Sequence, residues 1–149
     1  MNYWLFKSEP YKYSWDNLCK DKQTYWDGVR NYQARNYMRQ MEIGDFGLFY
    51  HSNEGKEAVG IVKIIKKCYP DHTFKPEPNK SNPWEMVDIA AVAPLKKAVT
   101  LAAVKSNPEL SNMALVTKQR LSVQPITPEE WQKVLDMAET KQPERGAAL

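Results

Sequence analysis

The segment from Ala58 to Cys68 constrains the fold most strongly. It is rich in β-branched aliphatic residues, with lysines between them. Such a composition favours a strand with one buried face. Residues 45–51 are also apolar and aromatic, and the intervening Asn53-Glu54-Gly55 is typical of a turn. We therefore predict that these two segments pair as a β-hairpin.

Further short strands and helices are predicted on both sides of this hairpin. The strands are expected over residues 3–7, 23–27, 84–92 and 120–124. The helices are expected over residues 15–18, 33–41, 101–105 and 128–138, each after a Ser, Thr or Asn that caps its N-terminus. Residues 113–116 remain ambiguous, and residues 69–83 are expected to form a long proline-rich loop. This mixture predicts one α+β domain over residues 1–140, built around a small bent sheet, and a disordered tail over 141–149.

Charge and cysteine content narrow the functional classes. The net charge is +3 and the pI is near 8.8, which allows contacts to a few phosphates but does not require nucleic-acid binding. Cys19 and Cys68 are too few for a disulfide framework or a four-ligand zinc site, so we expect two reduced thiols, no metal and no cofactor. No apolar run reaches the roughly 20 residues that span a bilayer, and no signal sequence follows Met1. We expect a monomer that makes no membrane contact and is cytoplasmic, or nuclear if its source is eukaryotic.

A polar run from Trp26 to Asn36 is unsuited to a core. It contains two arginines, two asparagines and a glutamine, whose burial costs free energy unless each group finds a partner. The run is either a solvated loop or a surface where polar groups converge on a ligand. The flat rings of Trp26 and Tyr32 beside the planar forks of Arg30 and Arg35 favour a nucleotide as that ligand. In the alternative interpretation, Trp26 packs in the core and both arginines are solvated.

Other polar residues invite functional interpretations beside ordinary structural ones. Ser8 and Glu9 either cap the loop before Pro10 or read the edge of a base, since a glutamate accepts from an exocyclic amine. Arg120 and Gln124 would share one face of the predicted strand 120–124, either as plain surface residues or as part of a basic groove.

Catalysis is only weakly indicated. His51 precedes Ser52, and His72 follows Asp71, yet neither pair has the sequence context of a known nucleophile. There is also no glycine-rich phosphate loop. We therefore expect no catalytic residue.

Six segments together resemble a known family. They are Trp4–Pro10, Trp26–Asn36, Phe49–Ser52, Tyr69–Asp71, Trp84–Asp88 and Arg120–Pro125. On these residues the chain resembles the EVE domain family from about Asn2 to Leu135. The resemblance implies a PUA-like fold, which is a mixed, nearly closed β-barrel flanked by short helices, related to the YTH and ASCH domains.

The resemblance also implies a function. It predicts a module that binds nucleic acid carrying a modified base, either a modified cytosine in DNA or a modified base in RNA, and that takes the base out of its stack. The predicted base-binding residues are Ser8, Glu9, Trp26, Asn31, Tyr50, His51, Ser52 and Trp84. The predicted phosphate-binding residues are Arg30, Arg35 and Arg120. The alternatives are an ASCH-like hydrolase or nuclease acting on RNA or small amides, with His51 as a base, and a protein-interaction module that uses the proline-rich loop.

Overall fold

Six strands and five α-helices make up the computed structural model, which describes residues 1–149. The strands are β1 (Tyr3–Ser8), β2 (Gln23–Tyr25), β3 (Phe46–His51), β4 (Glu57–Pro70), β5 (Glu85–Thr100) and β6 (Val123–Ile126). The helices are α1 (Trp15–Asp21), α2 (Tyr32–Arg39), α3 (Leu101–Lys105), α4 (Ala114–Thr117) and α5 (Pro128–Met137), with a single 3₁₀ turn at Pro108–Leu110. None of the helices has both the length and the apolarity that crossing a bilayer requires.

All six strands belong to one mixed sheet in the order β2-β5-β4-β3-β1-β6. Only β1 and β3 run parallel to each other, and the other neighbours are antiparallel. The predicted α+β class with short helices is confirmed. The edge strands β2 and β6 do not pair, so the sheet is open and the nearly closed barrel is not confirmed.

The predicted hairpin is formed by β3 and β4, which pair from Phe46 opposite Lys63 to His51 opposite Glu57. The strand predicted over 84–92 is longer than expected, because β5 continues to Thr100. Pro94 fits within it since it lies opposite Gly60, beside a register shift in the β4–β5 ladder. Such shifts in register bend a strand, and this ladder contains four of them.

The strand predicted over 120–124 is wrong in position. Strand β6 begins at Val123, and Arg120 lies in the turn that precedes it. Gln124 is 1% exposed, and its side-chain amide donates to the carbonyl oxygens of Lys118 and Leu121. The alternating pattern misleads here because a buried glutamine that finds internal acceptors counts as a surface residue in the sequence.

Apolar residues pack on both faces of the sheet. Leu5 belongs to a cluster around Trp131 of α5, whereas the next residue, Phe6, belongs to a second cluster around Trp26. This division follows from the alternation of side chains along a strand. In the second cluster the ring of Trp15 lies directly on Gly60, where a Cβ atom would approach the ring to 2.5 Å.

Side-chain caps set the helix starts as predicted. Asn31 Oδ1 accepts from the Ala34 N–H at 2.9 Å and caps α2. Thr127 and Glu130 form a reciprocal capping box at the start of α5, and Thr100 caps α3. The ambiguous segment 113–116 is resolved as the short helix α4.

Residues 141–149 contain no helix or strand. Lys63 Nζ donates to the Ala147 carbonyl at 2.8 Å, and the Leu149 N–H donates to the Ala91 carbonyl at 3.1 Å. These contacts lay the tail along the sheet, and the disorder predicted for it stays a prediction.

Candidate functional site

A recess of about 680 Å³ opens at one end of the sheet. Because β1 and β3 are parallel, their C-terminal ends lie side by side, and the Ser52 N–H donates to the Ser8 carbonyl at 2.9 Å. The loop after β2 and the turn before β6 complete the wall. The residues around this recess are Lys7, Ser8, Glu9, Lys12, Tyr13, Thr24, Tyr25, Trp26, Asp27, Gly28, Val29, Ser52, Asn53, Gln119, Arg120 and Ser122.

Trp26 is a core residue that also borders the recess. Its side chain is 9% exposed and makes edge-to-face contacts with Phe6 and Phe49, at centroid distances of 5.3 and 5.8 Å. The backbone N–H of Trp26 donates to the Val87 carbonyl at 2.7 Å, which extends the contact between β2 and β5. The two interpretations of Trp26, core packing and recess wall, therefore apply to the same residue.

The end of β1 supplies polar groups to the recess. Ser8 Oγ donates to the Tyr13 carbonyl at 2.5 Å. Glu9 Oε1 accepts from the Asn53 side-chain amide at 2.9 Å. Glu9 Oε2 is buried and lies 3.3 Å from Lys12 Nζ as an ion pair, and a hydrogen bond from Tyr11 is the main cause that lowers the pKa of this carboxyl. The Glu9 carboxylate is therefore a charged acceptor at the recess whose present partners are exposed side chains.

Three cations surround the recess, against the two carboxylates of Glu9 and Asp27. Lys12 and Arg120 are exposed. Lys7 is half-buried and donates to the Gln119 carbonyl at 2.6 Å, and its burial lowers the pKa of its ammonium group. This excess of positive charge favours a ligand that carries phosphate.

Several predicted residues lie outside the recess. Tyr50 is 2% exposed and packs in the cluster around Trp131. His51 Nε2 accepts from the backbone N–H of Trp15 at 3.0 Å, and burial lowers the pKa of the His51 imidazole. The Asn31 side chain is occupied as the cap of α2. Their part in base binding stays a prediction.

A buried carboxylate, Asp71, anchors the polar run that contains Trp26. Its Oδ2 accepts from the Gly28 N–H and from Arg30 Nη1, each at 3.0 Å. Burial by itself would raise the pKa of the Asp71 carboxyl, but hydrogen bonds from Thr73, Gly28 and Arg30 outweigh it and lower the pKa to about 2. Arg30 is thus fixed as one half of an ion pair whose acid is fully buried.

The remaining predicted residues form a stack beside this anchor. Trp84 lies against Tyr32, with ring centroids 4.8 Å apart, and not against Trp26. The Arg30 guanidinium lies 5.7 Å from the Trp84 ring centroid, and that of Arg35 lies 4.9 Å from the Tyr32 centroid. The structure therefore brings Ser8, Glu9, Trp26, Ser52 and Arg120 together at the recess, and groups Trp84, Arg30 and Arg35 next to it.

Some residues of the site were not predicted from the sequence. Lys7 and Asp71 lie within the family-like segments, but only the fold shows that one borders the recess and the other anchors its wall. Gln119 and Ser122 reach the recess through the pairing of β1 with β6, which leaves no local signal. No group of three or more His, Cys, Asp or Glu side chains is arranged to hold a metal ion, and both cysteines are free thiols.

This chain is similar in sequence and in structure to several known proteins. The family profile described as EVE domain matches residues 2–137. Human thymocyte nuclear protein 1 is 42% identical, over 93% of this chain and 74% of its own length. Protein Atu2648 from Agrobacterium tumefaciens has a crystal structure with 50% identity and a TM-score of 0.88, covering 96% of this chain and 97% of its own.

Two further solved structures contain nucleic acid. Human THYN1 in complex with 5-methylcytosine containing DNA is 40% identical, with a TM-score of 0.86, and covers 96% of this chain and 100% of its own. The YTH domain of Zygosaccharomyces rouxii MRB1, in complex with N6-methyladenosine RNA, is 14% identical, with a TM-score of 0.55 over 95% of this chain and 88% of its own. At that level of identity the likeness to the YTH domain concerns the fold alone.

Proposed function

The chain belongs to the EVE domain family, and we propose that it is a nucleic-acid-binding module that reads a modified base in the recess beside Trp26. The observation that carries the proposal is the recess itself: about 680 Å³ of open space between an indole, a carboxylate and a rim of cations. Binding sites for small planar ligands have volumes of this order. We propose binding without catalysis, by a monomer, in the cytoplasm or in the nucleus if the source is eukaryotic.

Modified cytosine in DNA is the ligand that we favour. The solved complex of the human relative contains 5-methylcytosine DNA, and that relative covers nearly the whole of this chain. The carboxylate of Glu9 at the recess supports the same choice, because the N4 amine of cytosine donates to a carboxylate. A modified base in RNA is the second form of the same proposal.

Each part of the recess has a role in the proposed complex. The base leaves its stack and enters the recess, where Trp26 provides an aromatic wall and Glu9 accepts from the exocyclic amine. Ser8 and Ser52 offer further hydrogen-bonding groups, and Lys12 and Arg120 contact the phosphates next to the base. Burial of one methyl group contributes about 0.8 kcal/mol, so the modified base is favoured about fourfold over the plain one by burial alone.

The test measures Kd for oligonucleotides that differ only in one cytosine, methylated at C5 or plain, in single-stranded and double-stranded form. We expect a preference for the methylated base of about fourfold or more. Glu9→Gln removes the charged acceptor and should weaken binding about tenfold, as expected for a hydrogen bond to a charged group. Glu54→Gln, the same change at an exposed position of the turn after β3, is the matched control.

Both variants lose one negative charge, so the comparison separates a specific contact of Glu9 from a general electrostatic effect. Removal of a carboxylate from a DNA-binding surface reduces repulsion of the phosphates, so Glu54→Gln should leave affinity equal or slightly higher. A loss of affinity in Glu9→Gln would therefore report a specific contact. Equal, weak binding of all oligonucleotides, unchanged in Glu9→Gln and in Trp26→Phe, would refute the proposal.

A further inference from the structure

Arg35 on α2 has a positive charge that no carboxylate of the protein compensates. Its Nη1 donates to the Pro83 carbonyl at 3.0 Å, and its Nε and Nη2 donate to Asn36 Oδ1 at 3.2 and 2.9 Å. All these acceptors are neutral. The two arginines nearest to it in the sequence differ, because Arg30 pairs with Asp71 and Arg39 pairs with Glu85.

The Arg35 guanidinium is also held against an exposed aromatic ring. It lies 4.9 Å from the ring centroid of Tyr32, which is 58% exposed. Tyr32 in turn stacks on Trp84 at 4.8 Å, so the ring is supported from behind by a partly buried neighbour. A guanidinium and a tyrosine ring fixed in advance lose little conformational entropy when they bind a ligand.

We propose that Tyr32 and Arg35 form a second nucleic-acid contact, outside the recess, for the strand that flanks the base held beside Trp26. This inference rests on the proposed function. Arg35 would bind a phosphate through its uncompensated charge, and Tyr32 would offer its exposed ring surface to a sugar or an unpaired base. Neither residue borders the recess, so the contact adds affinity without reading the modification.

The position of the pair fits a neighbouring nucleotide. Val29 borders the recess, and Tyr32 follows three residues later, which limits their separation to about 11 Å. Arg35 lies one helical turn further on, about 4.5 Å along α2. Phosphates of one strand of B-DNA are spaced about 3.4 Å along its axis, so the pair reaches nucleotides within about five positions of the modified base.

The test compares the salt dependence of binding for variants on one helix. The ligand is an oligonucleotide of about 13 nucleotides with a central 5-methylcytosine, long enough to reach the pair on either side. Loss of one phosphate contact should lower the slope of log K against log salt by about 0.7 to 0.9 in Arg35→Ala. Arg39→Ala, with the same charge lost one turn away, should keep the slope of the wild type because Glu85 already compensates Arg39.

Tyr32→Ala should give a different signature. Binding of a base or sugar to an aromatic ring releases no counterion. Loss of that contact should therefore lower the affinity about fivefold or more at every salt concentration and leave the slope unchanged. Arg35→Lys retains the charge and should restore the slope even if the hydrogen bonds to Pro83 and Asn36 are lost. Thermal unfolding of each variant checks that the fold is intact.

The free nucleoside 5-methyldeoxycytidine, which has neither a phosphate nor a flanking nucleotide, separates this inference from the proposed function. Arg35→Ala and Tyr32→Ala should bind it as the wild type does, because it offers nothing for the pair to contact. Wild-type slopes for Arg35→Ala on the long oligonucleotide, with the preference for the methylated base intact, would overturn the inference alone. A changed slope with no preference for the methylated base would support the second contact and refute the base-reading function.

Discussion

The carboxylate of Asp71 accepts a hydrogen bond from the backbone N–H of Gly28 at 3.0 Å, across 43 residues of sequence. Gly28 borders the recess and has a φ of +78°, a left-handed conformation that glycine adopts without strain. The same carboxylate oxygen binds Arg30, two residues further along. The buried carboxylate of Asp71 therefore holds in position the wall of the recess next to Trp26.

Replacement of Asp71 by Asn should destabilise the protein. The change leaves the Arg30 guanidinium beside a neutral partner and takes the charge from four accepted hydrogen bonds, donated by Gly28, Arg30 and the Thr73 backbone and side chain. We expect the free energy of unfolding, measured by urea denaturation, to fall by about 2 to 4 kcal/mol. Asp27→Asn, at an exposed acid next to Gly28, should change this free energy by less than about 0.5 kcal/mol. Equal effects of the two changes would contradict the anchoring role.

The pKa of Asp71 also sets a pH dependence. The carboxyl has a pKa of about 2 in the folded chain against an ordinary value of 3.8, so between these values the unfolded chain binds more protons. Stability from this group is therefore fully present above about pH 4 and is lost as the pH falls towards 2, on the order of 2 kcal/mol in total. In Asp71→Asn the unfolding free energy should decline less over this range than in the wild type. Parallel pH profiles for the two proteins would exclude a lowered pKa.

Gly60→Ala should disturb the cluster that contains Trp26. A Cβ atom at this position would lie 2.5 Å from three atoms of the Trp15 ring, so the indole would have to move. We expect a loss of about 1 to 3 kcal/mol in unfolding free energy, the usual effect of overpacking a core. Gly146→Ala, where a Cβ meets nothing within 4 Å and φ is not positive, should change the unfolding free energy by less than about 0.5 kcal/mol. A neutral effect of Gly60→Ala would show that the ring of Trp15 is free to shift.

Arg120 should contribute to affinity for nucleic acid. It is exposed at the rim of the recess, and no hydrogen bond or ion pair holds its guanidinium. Arg120→Ala should weaken binding of the methylated oligonucleotide severalfold. It should also lower the slope of log K against log salt by about 0.7 to 0.9, the contribution of one phosphate contact. Arg145→Ala removes the same charge from the exposed tail and should bind as the wild type does. Equal losses in both variants would point to net charge alone.

Much of the fold followed from local patterns. The β3–β4 hairpin and the caps Ser14, Asn31, Thr100 and Thr127 were predictable because turn residues and capping side chains act over a few positions. Two features were not. Gln124 is buried because two carbonyls reach its amide, and Pro94 lies inside a strand because its partner is a glycine beside a register shift. Both depend on tertiary neighbours that a pattern does not contain.

The candidate site divides in the same way. Ser8, Glu9 and Ser52 were predicted with the help of the resemblance to the EVE domain family, and they lie where the C-terminal ends of β1 and β3 meet. The division of the polar run into Trp26, which faces the recess, and Arg30, which is tied to Asp71, could not be found because it depends on a contact between distant loops. His51 attracted a catalytic interpretation, yet its Nε2 is already occupied by the Trp15 N–H.

A crystal structure of the protein with an oligonucleotide that contains one 5-methylcytosine tests the central claim most directly. We predict that the methylated base lies in the recess, out of its stack, against Trp26, with its N4 amine within hydrogen-bonding distance of the Glu9 carboxylate. A methylated base that stays in the helical stack, or that binds elsewhere while the recess contains only water, would contradict the account.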